Sequence, residues 1–124
     1  MYHSLKLFFQ AKGVRLLCKR EGIVFQAYAS LGAGQLGLCQ DPVVMSVASK
    51  NGVSPGQVLF RWGIQNDCAV LPKSSQETRR RENLHVLNWK LEEEDMEKLD
   101  NMDKAAIGQN TMVGWLREHD PDFY

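Results

Sequence analysis

The sequence predicts an α/β fold with a parallel sheet, of which these residues form only a part. Three observations predict it. Short, β-rich apolar runs alternate with longer segments of helical periodicity, the order of a parallel sheet with helical crossovers. The two runs that read as strands, "IVFQAY" at 23–28 and "CAVL" at 68–71, are mostly apolar, as strands covered on both faces are. Two such strands need neighbours that 124 residues in this element order barely supply. The expectation is one domain, 1–124, belonging to something larger.

The elements follow in order. "AKGVRLLCKRE", 11–21, places Val14, Leu17 and Cys18 on one helical face, and Gly22 stops the helix. The first strand, Ile23 to Tyr28, runs into the glycine-rich, irregular "ASLGAGQLGLCQ". Asp41-Pro42 is an N-cap with proline at the first helical position. Val43, Val44, Val47 and Ala48 give that helix its apolar face, and Asn51-Gly52 ends it. Ser54-Pro55 repeats the start signal, with Val58, Leu59 and Trp62 as the next stripe. The second strand, Cys68 to Leu71, precedes a helix from about 75 to 85. "KLEEEDMEKLDNMDK" is a last helix, with Glu92 to Asp95 in its first turn and Lys104 near its end, as a helix dipole favours. Met96, Leu99 and Met102 fall at helical spacing and read as core. Ala105 to Tyr124 lacks periodicity and forms a C-terminal tail.

Composition excludes several function classes. Apolar residues at 44% and charged residues at 24% describe an ordinary globular protein. Lysine plus arginine and aspartate plus glutamate are both 15, and zero net charge argues against broad nucleic-acid binding. Cys18, Cys39 and Cys68 are odd in number and lack CxxC spacing. A disulfide framework or zinc site is not indicated, and a reducing, cytoplasmic setting is expected. His3, His85 and His119 lack partners at metal-ligand spacing, so no metal is expected. No apolar run is long enough to span a membrane. The first 20 residues carry five bases and no acid, but only Ser4 among serines, and read as a surface helix rather than a transit peptide.

Chemistry concentrates in "AVLPKSSQETRRRENLHVL", 69–87. A strand ends, and Lys73-Ser74-Ser75 leads into a helix. Ser74 and Glu77 have the S-x-x-E spacing of a capping box. The helix start offers free N–H groups and a positive dipole end to an anion, Lys73 adds a point charge, and the hydroxyls of Ser74 and Ser75 add hydrogen bonds. Arg79, Glu82 and Asn83, at i, i+3 and i+4, share one face. Arginine forks onto phosphate and stacks on rings, and Glu82 and Asn83 can accept from the amino group of a base. Together they describe a pocket for a phosphorylated adenosine, with Arg80 and Arg81 pointing to solvent. The competing reading is a plain solvated basic face. "RRR" is too short for a nuclear-localisation signal.

Tyr28 closes the first strand, and ligands of parallel α/β folds lie at the C-terminal strand ends. Its ring either stacks on a flat cofactor ring or anchors a turn. No GxSxG, HExxH, P-loop or GxGxxG pattern occurs.

"GIVFQAYASLGAGQLG", "SPGQVLFRWGIQ", "AVLPKSSQETRRREN" and "LEEEDMEKLDNMD" resemble, in this order, the C-terminal half of the aldo-keto reductases. "LPKS" followed by R-x-x-E-N is specific to that family. The resemblance implies the C-terminal part of a (β/α)8 TIM barrel that reduces small carbonyl compounds with NADP(H). It implies that Tyr28 stacks on the nicotinamide and that the loop from Ala29 to Ala33, Leu31 included, follows the pyrophosphate. The family's A-Y-S-P-L-G is A-Y-A-S-L-G here, so Ala29 replaces a serine hydroxyl. Lys73, Ser74 and Arg79 match the positions that hold the 2′-phosphate, and Glu82 and Asn83 those that meet the adenine. Trp115 would line the substrate pocket. The family's Asp, Tyr, Lys and His tetrad lies on earlier strands and has no counterpart in these residues. His3 and Lys73 are not its histidine and lysine. The alternative is a non-catalytic half-barrel that acts as a nucleotide-binding or protein-interaction module.

Overall fold

The computed structural model describes residues 2–4, 10–28 and 37–102. It contains a three-stranded parallel sheet in the order β1-β2-β3, formed by β1 (Tyr2–Ser4), β2 (Phe25–Tyr28) and β3 (Cys68–Val70). Tyr2 stands opposite Gln26 and Ser4 opposite Tyr28, while Phe25 stands opposite Cys68 and Ala27 opposite Val70. Helix α1 (Lys12–Arg20) lies between β1 and β2 in sequence. A 3-10 turn (Leu38–Gln40) and helices α2 (Pro42–Asn51) and α3 (Pro55–Gln65) lie between β2 and β3. Helices α4 (Glu77–His85) and α5 (Glu93–Asp100) follow.

The third strand, β1, is one that residue patterning missed, because three residues containing a histidine and a serine make no apolar run. The other strands are also less covered than expected. Ile23 and Val24 precede β2 and are exposed, Val24 at 71%. Phe25 and Ala27 face the core. In β3, Cys68 is buried but Ala69 is exposed, because the described residues cover one face of that strand.

The helix starts follow the sequence closely at two places. Asp41 accepts hydrogen bonds from the N–H groups of Val43 (2.9 Å) and Val44 (3.4 Å), and Pro42 opens α2. Gly52 closes it at φ 63°, a left-handed conformation that glycine adopts without a Cβ penalty. Ser54 and Gln57 form a reciprocal capping box at the head of α3. Val44, Val47 and Ala48 of α2 are buried, but Val43 of the expected apolar face is exposed. On α1, Val14 and Cys18 are buried and Leu17 is half-buried.

The core joins Phe25 and Ala27 to Val58, Leu59 and Trp62 of α3 and to Leu99 of α5, with Met96 and Met102 packed against it. Polar contacts tie the outer helices on. Arg15 donates to the Gln10 carbonyl (2.7 Å) and to Asn66 Oδ1 (3.0 Å), and its guanidinium lies 6.0 Å from the Trp62 ring centre. Trp62 Nε1 donates to Asp100 Oδ1 at 2.8 Å. Asp95, which the charge order placed among the dipole-directed acids, is fully buried. It accepts from Lys50 Nζ and Asn51 Nδ2, each at 3.2 Å, and so fastens α5 to α2. Helix α5 ends at Asp100 with Lys98 in its last turn, and Lys104 lies outside the described residues.

Candidate functional site

Parallel pairing puts the C-terminal ends of neighbouring strands side by side. Ala27, one residue before Tyr28, stands opposite Val70, three residues before Lys73. The backbone thus brings Tyr28 and the segment Leu71 to Lys73 to one end of the sheet. The tyrosine's position is described but its side chain is not. Leu31 and Trp115 lie outside the described residues.

The segment after β3 departs from expectation at its helix start. Ser74 does not cap α4. Its Oγ accepts from the Gln76 N–H at 3.1 Å, closing a local turn two residues long. The helix therefore begins at Glu77, with Gln76 at the N-cap position and no side-chain cap. Glu77 is then free of capping duty and pairs with Arg81 one turn on, at 2.7 Å.

The three arginines separate by their contacts. Arg80 Nη1 donates to the Ser75 carbonyl at 2.8 Å, and Arg81 is held by Glu77. Arg79 makes no hydrogen bond or ion pair among the described residues. Its charge instead acts on Cys39, in the 3-10 turn before α2. Burial pushes the Cys39 thiol up from the ordinary cysteine value, and the Arg79 guanidinium opposes that rise. Arg79 therefore lies within electrostatic range of Cys39. Glu82 and Asn83 are half-buried and share its helix face, while Lys73 and Ser75 are exposed and Ser74 is half-buried.

Helix α4 is held in an unusual way. None of its residues is buried, and its one large apolar side chain, Leu84, is 70% exposed. Polar side chains of α3 hold it instead. Gln57 Nε2 donates to the Glu82 carbonyl (3.0 Å), and Arg61 Nη1 donates to the Val86 carbonyl (2.9 Å). Gln65 exchanges two hydrogen bonds with the backbone of Leu91, at 2.7 and 3.1 Å. Sequence reading overlooked these residues and Cys39. Three long polar residues at i, i+4 and i+8 within an otherwise apolar helix were the available signal.

A cleft of about 710 Å³ lies at the other end of the strands, lined by Arg15, Lys19, Phe25, Asn66 and Asp67 among others. An exposed Lys19–Asp67 ion pair of 3.2 Å stands at it. This cleft is remote from the residues above, and it is open space beside strand starts rather than a convergence of reactive groups. Among the described residues no group of three His, Cys, Asp or Glu side chains is placed to hold a metal, and no helix is long and apolar enough to cross a membrane.

Comparison with known proteins agrees with this geometry. The model of the aldo/keto reductase family matches residues 2–104. A 9,11-endoperoxide prostaglandin H2 reductase of Trypanosoma cruzi is 38% identical over 103 residues, covering 81% of this chain and 36% of its own length. A glyoxal reductase of Bacillus subtilis is 37% identical over 100 residues, covering 80% and 36%. The chain thus spans about a third of the length of these curated relatives. Among solved structures, a variant of Gox0644 in complex with NADPH superposes with a TM-score of 0.77 at 31% identity, over 82% of this chain and 37% of the other. An aldo-keto reductase from a deep-sea metagenome library gives 0.79 at 27% identity, over 84% and 39%. The three parallel strands and their helices are the C-terminal part of a (β/α)8 barrel, and the chain belongs to the aldo/keto reductase family.

Proposed function

We propose that these residues carry most of the NADP(H) site of an aldo-keto reductase, which in the complete barrel reduces an aldehyde or ketone to an alcohol. One observation carries the reading. Of three consecutive arginines, two are engaged with Ser75 and Glu77, while Arg79 makes no hydrogen bond or ion pair among the described residues and shares a helix face with Glu82 and Asn83. In this reading Arg79, Lys73, Ser74 and Ser75 hold the 2′-phosphate, which an arginine fork and the N-terminal end of α4 suit. Glu82 and Asn83 meet the adenine. Tyr28, at the strand end, faces the nicotinamide, and Leu31 follows the pyrophosphate. Trp115 borders the carbonyl substrate. Bound NADPH supplies the hydride. The general acid for that reaction has no counterpart in these 124 residues, so the isolated chain is expected to bind nucleotide without turning over a carbonyl.

The test is calorimetric titration of the 124-residue chain with NADP+ and NAD+, repeated with Arg79→Ala. The substitution should weaken NADP+ at least tenfold more than NAD+, since it removes a charge-assisted contact to a group that NAD+ lacks. Equal losses for both nucleotides would mean that Arg79 does not read the 2′-phosphate. Measured NADPH-dependent turnover of a simple aldehyde would sink the expectation of inactivity.

A second reading is a non-catalytic module that pairs with further polypeptide. Leu16 (69%), Val24 and Leu84 are exposed, and β1 and β3 each pair on one side among the described residues. A monodisperse monomer with a cooperative melt in sedimentation and calorimetry would count against it.

A further inference from the structure

We infer that Gln57, Arg61 and Gln65 are positioning residues for the nucleotide site: they set where α4 stands and, through it, Arg79, Glu82 and Asn83. The inference rests on the nucleotide reading above and goes beyond it, because none of the three touches the proposed ligand.

A nine-residue helix does not hold itself in water, and most protein helices are fixed by an apolar face. Helix α4 has none. Its place is set by three side chains spaced one turn apart along α3, each taking a backbone group of α4 or of the chain that leaves it. The rungs depend on one another. The Gln57 amide is used at both ends: Oε1 accepts the Ser54 N–H at 2.9 Å, and Nε2 donates to the Glu82 carbonyl. Arg61 divides its guanidinium between the Val86 carbonyl and Gln65 Oε1, at 3.0 Å for the latter. That same oxygen accepts the Leu91 N–H. Gln57 and Arg61 are buried, so water does not substitute easily for a lost rung.

Direction matters as well as number. Amide and guanidinium donors are planar and weaken steeply off-line, so sliding α4 along α3 strains several rungs together. The middle rung also sets a cation at the C-terminal end of α4, where Val86 is the cap residue and the dipole favours positive charge. The first rung fixes the Glu82 carbonyl, the residue before Asn83 and one turn after Arg79. A forked contact to phosphate tolerates displacement of only about half an ångström. The rungs supply a register of that quality.

The test is Gln57→Glu. Glutamate keeps an acceptor for the Ser54 N–H, the usual capping-box role, and so preserves the head of α3. It has no donor for the Glu82 carbonyl and sets a charged oxygen against it. Two readouts are taken on the 124-residue chain: amide exchange by helix, and titration with NADP+ and NAD+. Exchange of residues 79–85 should rise about tenfold while that of α2 stays unchanged, and NADP+ should bind about tenfold more weakly, with NAD+ affected less. Lys50→Ala, which loosens α5 from α2 without touching the rungs, should leave both affinities unchanged. If Gln57→Glu fails to fold, Gln65→Met, at the far end of α3, carries the same expectation. Wild type that binds no NADP+ overturns the nucleotide reading and the inference with it. Wild type that binds, with a variant that binds equally well, overturns the inference alone. So does a Lys50→Ala chain that loses as much affinity as Gln57→Glu.

Discussion

Gly63 in α3 sets two opposed effects against each other, and their balance can be measured. A Cβ at this position would meet Val70 Cγ1 at 3.0 Å. Carbon atoms rest at about 3.5–4.0 Å, so Val70 or the α3 backbone would have to retreat by about half an ångström. Overpacking of this kind costs about 1–3 kcal/mol. Alanine in a helix interior contributes about 1 kcal/mol relative to glycine. Gly63→Ala should therefore destabilise the chain by about 1 kcal/mol, the difference between these terms. In a Val70→Ala background the obstructing methyl is gone, and the same substitution should stabilise by about 0.5–1 kcal/mol. The sign reverses, with a coupling of about 1.5–2 kcal/mol between positions 63 and 70. Urea unfolding of the four chains, followed by the fluorescence of buried Trp62, closes the cycle. A rise in midpoint for Gly63→Ala with Val70 intact would refute the reasoning, as would an equal effect in both backgrounds. The result bears on the site, because the close approach of α3 to β3 sets the strand end from which Lys73 departs.

Other predictions concern charge. Arg79→Ala removes the cation that opposes the burial-driven rise of the Cys39 thiol, so that thiol should rise further and carry less thiolate at pH 8. Alkylation of the Cys39 peptide by iodoacetamide, read by mass spectrometry, should slow, and an unchanged rate would place Arg79 elsewhere. Lys50 is raised above the ordinary lysine value of 10.5 by hydrogen bonds to Glu92 and then Asp95. A raised folded-state value means that the contribution is complete below the unfolded value and is lost as pH climbs through the folded one. The midpoint difference between wild type and Lys50→Met should thus hold steady from pH 7 to about 10 and shrink only above that. Shrinkage already at pH 8 would contradict the pairing.

Local signals in the chain anticipated much of this fold. Asp41-Pro42 and Ser54-Pro55 mark helix starts through contacts two or three residues long, which a sequence displays directly. The periodic stripe of Val58, Leu59 and Trp62 named a core face correctly for the same reason. Most of what escaped depends on partners distant in sequence. Asp95 reads as one more acid in an acidic first turn, yet it is buried because Lys50 and Asn51 lie across from it. Strand β1 is a strand because Gln26 and Ala27 stand beside it, not because of its composition. Ser74 has the spacing of a cap, and a nearer N–H, that of Gln76, takes its oxygen. At the candidate site, the spacing of Arg79, Glu82 and Asn83 indicated a shared face, while the commitment of Arg80 and Arg81 needed coordinates to see.

The hydrogen bonds from α3 to α4 and to the chain that leaves it all go to main-chain atoms: the carbonyls of Glu82 and Val86 and both backbone groups of Leu91. Every residue of α4 has those atoms whatever its side chain. Where α4 stands is thereby separated from what it presents. Its outward residues can be exchanged without cost to its placement, provided they remain helix-compatible. For a protein engineer this makes 77–85 a replaceable cassette. A change of nucleotide preference written there should leave the thermal stability of the chain nearly untouched, whereas the same number of substitutions on α3 should not.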